Sequence, residues 1–280
     1  MIECPYCLTP QSFSRGEQCE NEACGKNVSR LYIESARLRE PIFIVTFGVT
    51  QHGKSTLLGS MSFLVERIGV IAQGAFHNYL DTHTMQRLAE IQRGQQTGNP
   101  GLGATPLTDN PEPLLLMLKN FPTQSETQTL VIFDLAGEVV DRITERIADR
   151  SAPPPLYARA IAKARTIWFI VSLYDLQREM VETGRSINAL FMAYQQVMMH
   201  FNAALRDRNV LTIFTKADLL RENTNDDALV IPQSVSDYLA DDRYYDLGNR
   251  GASRPPVLDY LSLIHISEPT RLRRISYAVF

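Results

Sequence analysis

The sequence predicts an α/β protein: a three-layer sandwich with a mostly parallel sheet, preceded by a small cysteine-rich module. Three observations predict it. Apolar runs of strand length recur at residues 41–47, 114–121, 129–135, 166–175 and 210–218. Segments with helical spacing lie between most of them. All four cysteines fall within the first 24 residues. The 280 residues suffice for one large domain and a small module. With 44% hydrophobic and 21% charged residues, the composition is globular and excludes a disordered or fibrous chain. The net charge of −3 leaves no broad basic field for sequence-independent nucleic-acid binding. There is no apolar run long enough to span a membrane and no basic-then-apolar leader, so a cytoplasmic location is expected.

The chain opens with Cys4, Cys7, Cys19 and Cys24, spaced C-x2-C and C-x4-C. Four thiolates in two close pairs suit tetrahedral Zn2+, with Pro5 and Gly25 favouring the tight turns each pair needs. The segment is too short and polar to build a core of its own, so the metal would supply its folding energy. Two disulfides in a secreted domain are the other reading, and the missing leader argues against it. The module resembles the zinc ribbons of many microbial proteins, with a wider second knuckle than usual. Only Arg15, Lys26 and Arg30 are basic here, which favours a structural or protein-contact role over nucleic acid. The expected division is a zinc ribbon at 1–33, a polar linker at 34–40 and a nucleotide-binding domain from 41 to 260.

Residues 41–47 (PIFIVTF) are apolar throughout, as in a strand buried on both faces. They lead directly into Gly48-Val49-Thr50-Gln51-His52-Gly53-Lys54-Ser55, a G-x4-G-K-S/T phosphate loop that opens a helix predicted over 55–70. Its glycines let main-chain N–H groups wrap phosphate oxygens at a helix N-terminus. Lys54 is placed to reach the β- and γ-phosphates and the Ser55 hydroxyl to ligate Mg2+. A second helix is predicted over 79–93, followed by a loop rich in Gly, Pro, Thr and Asn over 94–113. The strand LVIFDL runs into Asp134-Leu135-Ala136-Gly137, a D-x-x-G motif. There Asp134 would hold Mg2+ through water and the Gly137 N–H would meet the γ-phosphate. After further helices ending at 165 and spanning 186–206, the last strand ends in Thr215-Lys216-Ala217-Asp218. The Asp218 carboxylate suits the two adjacent N–H donors of guanine, a pair adenine lacks, and Lys216 would lie along the base.

The three motifs, in this order over residues 41–220, resemble the P-loop GTPases of the translation-factor and Ras-like (TRAFAC) class. More narrowly, DLAGE after a zinc ribbon is similar to the bacterial double-GTPase-type proteins linked to conflict systems. The resemblance implies a GTP/GDP site built from Gly48, Gln51, His52, Gly53, Lys54, Ser55, Thr56, Gly137, Thr215, Lys216 and Asp218, with Mg2+ at Ser55 and Asp134. It also implies a switch threonine before the second of two antiparallel strands. Thr97, Thr105 and Thr108 are candidates, the last two preferred. Thr215 stands where the class usually has Asn, and losing the amide would loosen the loop. Glu138 stands where many members carry a water-orienting Gln, and its carboxylate would be repelled by a γ-phosphate. Catalysis would rest on Lys54, with Glu138 in doubt. Arg142 and Arg146, one and two turns beyond, read as solvated surface residues. The function implied is a Mg2+-dependent GTPase switch acting on a protein partner through the ribbon or the switch loops. A nucleotide-regulated interaction module with negligible hydrolysis is the alternative, and an ATP-using enzyme a third reading.

Residues 261–271 (LSLIHISEPTR) and 275–280 (ISYAVF) resemble the translated ends of a transposase sequencing adapter. Residues 261–280 are accordingly expected to be a non-biological tail, and the sheet to lack its last strand.

Overall fold

The computed structural model describes residues 1–14, 16–50, 52–71, 76–97, 105–120, 127–148, 153–172, 187–203, 208–215 and 275–279. Its centre is strand β3 (Ile42–Phe47), whose side chains alternate between two cores. Phe43, Val45 and Phe47 join one apolar cluster and Ile44 the other. On β7 (Thr166–Ser172), Ile167, Phe169 and Val171 face the first cluster while Trp168 and Ile170 face the second. This alternation makes the apolar runs central strands, as expected.

The sheet order is β4-β5-β6-β3-β7-β8-β9, with β4 (Phe76–Tyr79), β5 (Leu114–Lys119), β6 (Gln128–Asp134) and β8 (Asn209–Thr215) flanking the centre. Strands β3, β6, β7 and β8 run parallel, while β4–β5 and β5–β6 are antiparallel. Helices α2 (Lys54–Ile71) and α3 (Thr82–Thr97) cover one face through Leu57, Leu58, Leu88 and Ile91. Gly59 lets them close up: a Cβ there would sit 2.7 Å from Ile91 Cγ2. The other face carries α4 (Val139–Ala148), α5 (Leu156–Lys163) and α6 (Ile187–His200) through Ile143, Tyr157, Ile161, Leu190 and Val197. The three-layer sandwich follows. No helix among the described residues is long and apolar enough to cross a membrane.

Three local readings differ from expectation. The polar connector is helix α1 (Arg30–Leu38), which buries Tyr32, Ile33 and Ser35. Its burial follows the 3–4 residue period of a helix, and Ser35 Oγ lies 2.6 Å from Thr129 Oγ1 on β6. The helix predicted from 79 starts later: Asp81 caps it, accepting from the Thr84 N–H at 2.7 Å, and 76–79 pair with β5 as an edge strand. At the far edge, Ile275–Val279 form β9, parallel to β8. Thus five residues of the adapter-like segment take the place next to β8 where the sheet was expected to stop. Ile, Tyr and Val favour strands, and an open edge pairs through main-chain groups whatever the segment's origin.

The amino-terminal module is a hairpin of β1 (Ile2–Glu3) and β2 (Pro10–Gln11) with two cysteine knuckles. Its core is continuous with that of the large domain: Cys4, Leu8, Phe13, Val28 and Tyr32 share a cluster with Tyr157 and Ile161.

Candidate functional site

The connection from β3 leads to one side of the sheet and the connection from β6 crosses to the other, opening a crevice at the carboxyl ends of these strands. The phosphate loop sits there. Gly48 passes so close to β7 that a Cβ would lie 2.4 Å from the Ile170 carbonyl oxygen. Gly53 has φ +79°, a left-handed conformation that favours glycine. Lys54, 6% exposed, donates to the carbonyls of Gly48 (3.0 Å) and Val49 (2.9 Å), so its ammonium is tucked inside the loop. Burial holds its pKa below the ordinary 10.5, against the pull of Asp134 and Glu138. A polyphosphate in the loop would favour its charged form.

Asp134 ends β6 directly beside Thr46 of β3 in the parallel register. The fully buried Thr46 hydroxyl donates to Asp134 Oδ1 at 2.9 Å. Thr105 donates to the other carboxylate oxygen, Oδ2, and its hydroxyl lies 3.1 Å from Ser55 Oγ. Ser55, Thr105 and Asp134 thus converge as three oxygen donors, the set a hard divalent cation such as Mg2+ takes. Thr108 and Thr97 are elsewhere. Thr108 accepts from the Asn110 N–H at 3.2 Å, and Thr97 donates to the Arg93 carbonyl at the end of α3. Gly137 closes the site from below. A Cβ there would come within 2.0 Å of the Thr50 nitrogen, so only glycine lets the D-x-x-G turn touch the phosphate loop.

The remaining expected residues divide. The His52 ring is buried with Nδ1 3.4 Å from the Ile170 carbonyl, turned toward the sheet, and its main chain alone faces the loop. Thr56 is exposed on α2. Glu138 is exposed beside the site, which keeps its carboxylate hydrated. Arg142 is exposed, but Arg146 pairs with Asp109 at 2.8 Å, joining α4 to the stretch that carries Thr105. Gln51, Lys216 and Asp218 lie outside the described residues. Thr215 is described. Its hydroxyl donates to the His52 carbonyl at 2.6 Å, tying the end of β8 to the phosphate loop. Sequence reasoning missed Thr46, whose only signal was one polar residue in the apolar run PIFIVTF.

The four cysteine sulfurs all lie within 4.8 Å of one another, with Cys7–Cys19 at 3.6 Å and Cys4–Cys24 at 4.0 Å. None is in a disulfide. Tetrahedral zinc with Zn–S bonds of about 2.3 Å sets sulfurs about 3.8 Å apart, so the quartet fits such an ion. Burial pushes the Cys4 thiol well up and Cys24 to about 11, a cost that a bound cation removes by taking thiolates. Gln11 Nε2 donates to Cys19 Sγ at 3.2 Å. The wide second knuckle is absorbed by a turn at Asn21, whose carbonyl accepts from both Cys24 and Gly25 at 2.9 Å.

Compared with known proteins, residues 42–244 match a family model described as Double-GTPase 2. No curated protein matches the chain. Among solved structures, the chain is similar to a bacterial selenocysteine-specific elongation factor, EF-Sec, at 11% identity and TM-score 0.30. That likeness covers 85% of this chain and 25% of the factor. The chain therefore spans a quarter of the length of that factor.

Proposed function

The chain belongs to the Double-GTPase 2 family and is a GTP-binding protein, and from that premise we propose that it hydrolyses GTP to GDP and phosphate as a Mg2+-dependent switch. One observation carries the reading: Ser55, Thr105 and Asp134 meet beside a lysine held inside a glycine-built loop. In this reading Lys54 leaves the Gly48 and Val49 carbonyls for the β- and γ-phosphate oxygens. The loop N–H groups and the N-terminus of α2 hold the remaining phosphate charge. Mg2+, when bound, supplies the charge that offsets the β- and γ-oxygens. Thr105 is the switch threonine: its hydroxyl would join Ser55 in holding Mg2+, and the 105–113 stretch would move with it. Gly137 presents its N–H to the γ-phosphate, so the Asp134–Gly137 turn and α4 respond to hydrolysis. Asp218 reads the guanine edge, and Thr215 couples that loop to the phosphates. The zinc ribbon is structural.

Single-turnover release of phosphate from bound GTP tests the enzyme reading, which expects release faster than in solvent and dependent on Mg2+. Release at the solvent rate would leave a GTP-binding module without hydrolysis, the outcome that the exposed Glu138 carboxylate favours. Thr46→Val bears on the metal site. It keeps the side-chain shape but frees one Asp134 oxygen, and should raise the Mg2+ concentration for half-maximal GTP binding about tenfold. An unchanged Mg2+ requirement would remove Thr46 from the site.

A further inference from the structure

A half-buried cation stands beside this constellation that no motif contains. Arg87, on α3, is 14% exposed at its side chain. Its Nη2 donates to Thr105 Oγ1 at 3.4 Å, the same hydroxyl that contacts Ser55 and Asp134. Its other guanidinium arm faces Glu90, one turn along α3, at 3.9 Å. The side chain is therefore held with a partner at each end, and the inner end lies one hydroxyl from Ser55 and Asp134.

Charge gives this placement its meaning. Among the described residues, the site sets two carboxylates, Asp134 and Glu138, beside Lys54, and both act on that lysine. A transferring phosphoryl group adds negative charge that one lysine and one divalent ion share poorly, and guanidinium groups are the usual remedy. Arg142 is exposed and Arg146 is engaged with Asp109, so neither D-x-x-G neighbour supplies that charge in this structure. Helix α3 brings Arg87 to the site by packing on α2, the helix that the phosphate loop opens.

We propose that Arg87 is a catalytic arginine carried within the chain, its guanidinium contacting the γ-phosphate when Thr105 turns to the metal. The proposal deepens the GTPase reading and rests on it. Arg87 would then make hydrolysis independent of an arginine from a partner.

The test compares the full chain with Arg87→Ala and Arg87→Lys in two measurements. The first is retention of labelled GDP with Mg2+, with and without fluoroaluminate, which mimics the transferring phosphoryl group. Wild type should hold GDP about a hundredfold longer with fluoroaluminate. Arg87→Ala should keep its GDP affinity within about threefold yet gain nothing from fluoroaluminate. Arg87→Lys should recover only part of the gain, since lysine lacks the planar fork. The second is single-turnover hydrolysis, expected to fall about 100- to 1000-fold in Arg87→Ala. Equal fluoroaluminate retention in wild type and Arg87→Ala overturns the proposal, as does a wild type that binds GDP but gains nothing from fluoroaluminate. A wild type that binds no GDP instead overturns the GTPase reading itself. Arg87→Lys carries the test should Arg87→Ala fail to fold.

Discussion

Cys19→Ser is expected to lower the melting midpoint of the whole chain by about 10 °C, in one transition. A terminal docking module would melt by itself and leave the large domain untouched. Here the module is part of the domain's core. Cys4, Cys7 and Cys19 are buried in the same cluster as Phe43, Tyr157 and Ile161. Polar ties reinforce it. Arg159 of α5 donates to the Cys7 carbonyl at 3.1 Å, Lys163 pairs with Glu3, and the Tyr32 hydroxyl donates to the Glu3 carbonyl at 2.7 Å. On the other side, Tyr6 donates to Asp81 at 2.7 Å and Lys26 pairs with Glu112, between Thr105 and β5. Losing one sulfur would leave Cys4, Cys7 and the half-buried Cys24 as an incomplete ligand set, and the α5 and α3 contacts would loosen with the knuckle. Two separate melting steps, or a midpoint unmoved by both Cys19→Ser and chelation, would show that the quartet holds nothing the domain needs.

The second large effect is on binding. Lys54→Ala should weaken GTP binding about a hundred- to thousandfold, the scale of losing a buried cation from an anion it contacts. The melting midpoint of the nucleotide-free chain should move by only a few degrees. Without nucleotide, Lys54 gives its hydrogens to two loop carbonyls while burial works against its charge. The two roughly offset when the side chain is removed. The same burial sets a pH dependence. Because the folded pKa lies below the ordinary 10.5, the unfolded chain binds the proton more tightly. Stability of the nucleotide-free chain therefore rises with pH between those two values. Isothermal titration and thermal melts of Lys54→Ala check both halves. Unchanged GTP affinity would take the lysine out of the phosphate site.

What the sequence revealed was whatever is local. The phosphate loop and D-x-x-G are short strings at strand ends, and their strands are continuous apolar runs, so both could be read residue by residue. The alternation of Ile167, Trp168, Phe169 and Ile170 between two cores follows from the same run. What stayed hidden depends on neighbours distant in the chain. Thr46 orients Asp134 only because β3 and β6 lie side by side in a register that pairs them. Thr105 was inseparable from Thr108 until the loop brought one of them to Ser55 and Asp134. Thr215 replaces an amide that the resemblance led one to miss, yet its hydroxyl reaches the His52 carbonyl directly. Helix α1 read as polar because only Tyr32, Ile33 and Ser35 among its nine residues are buried. Strand β4 is four residues long, too short for a periodic signal, and owes its form to pairing with β5.

The central claim is that a lysine-lined phosphate loop and the Asp218 carboxylate together select a guanine nucleotide. Titrating the full chain with GTP and then with ATP, each with Mg2+, measures it. The account predicts one-to-one binding of GTP at least about a hundredfold tighter than ATP, with Asp218→Asn erasing the difference. Equal affinity for the two nucleotides, or no binding of GTP, would contradict it.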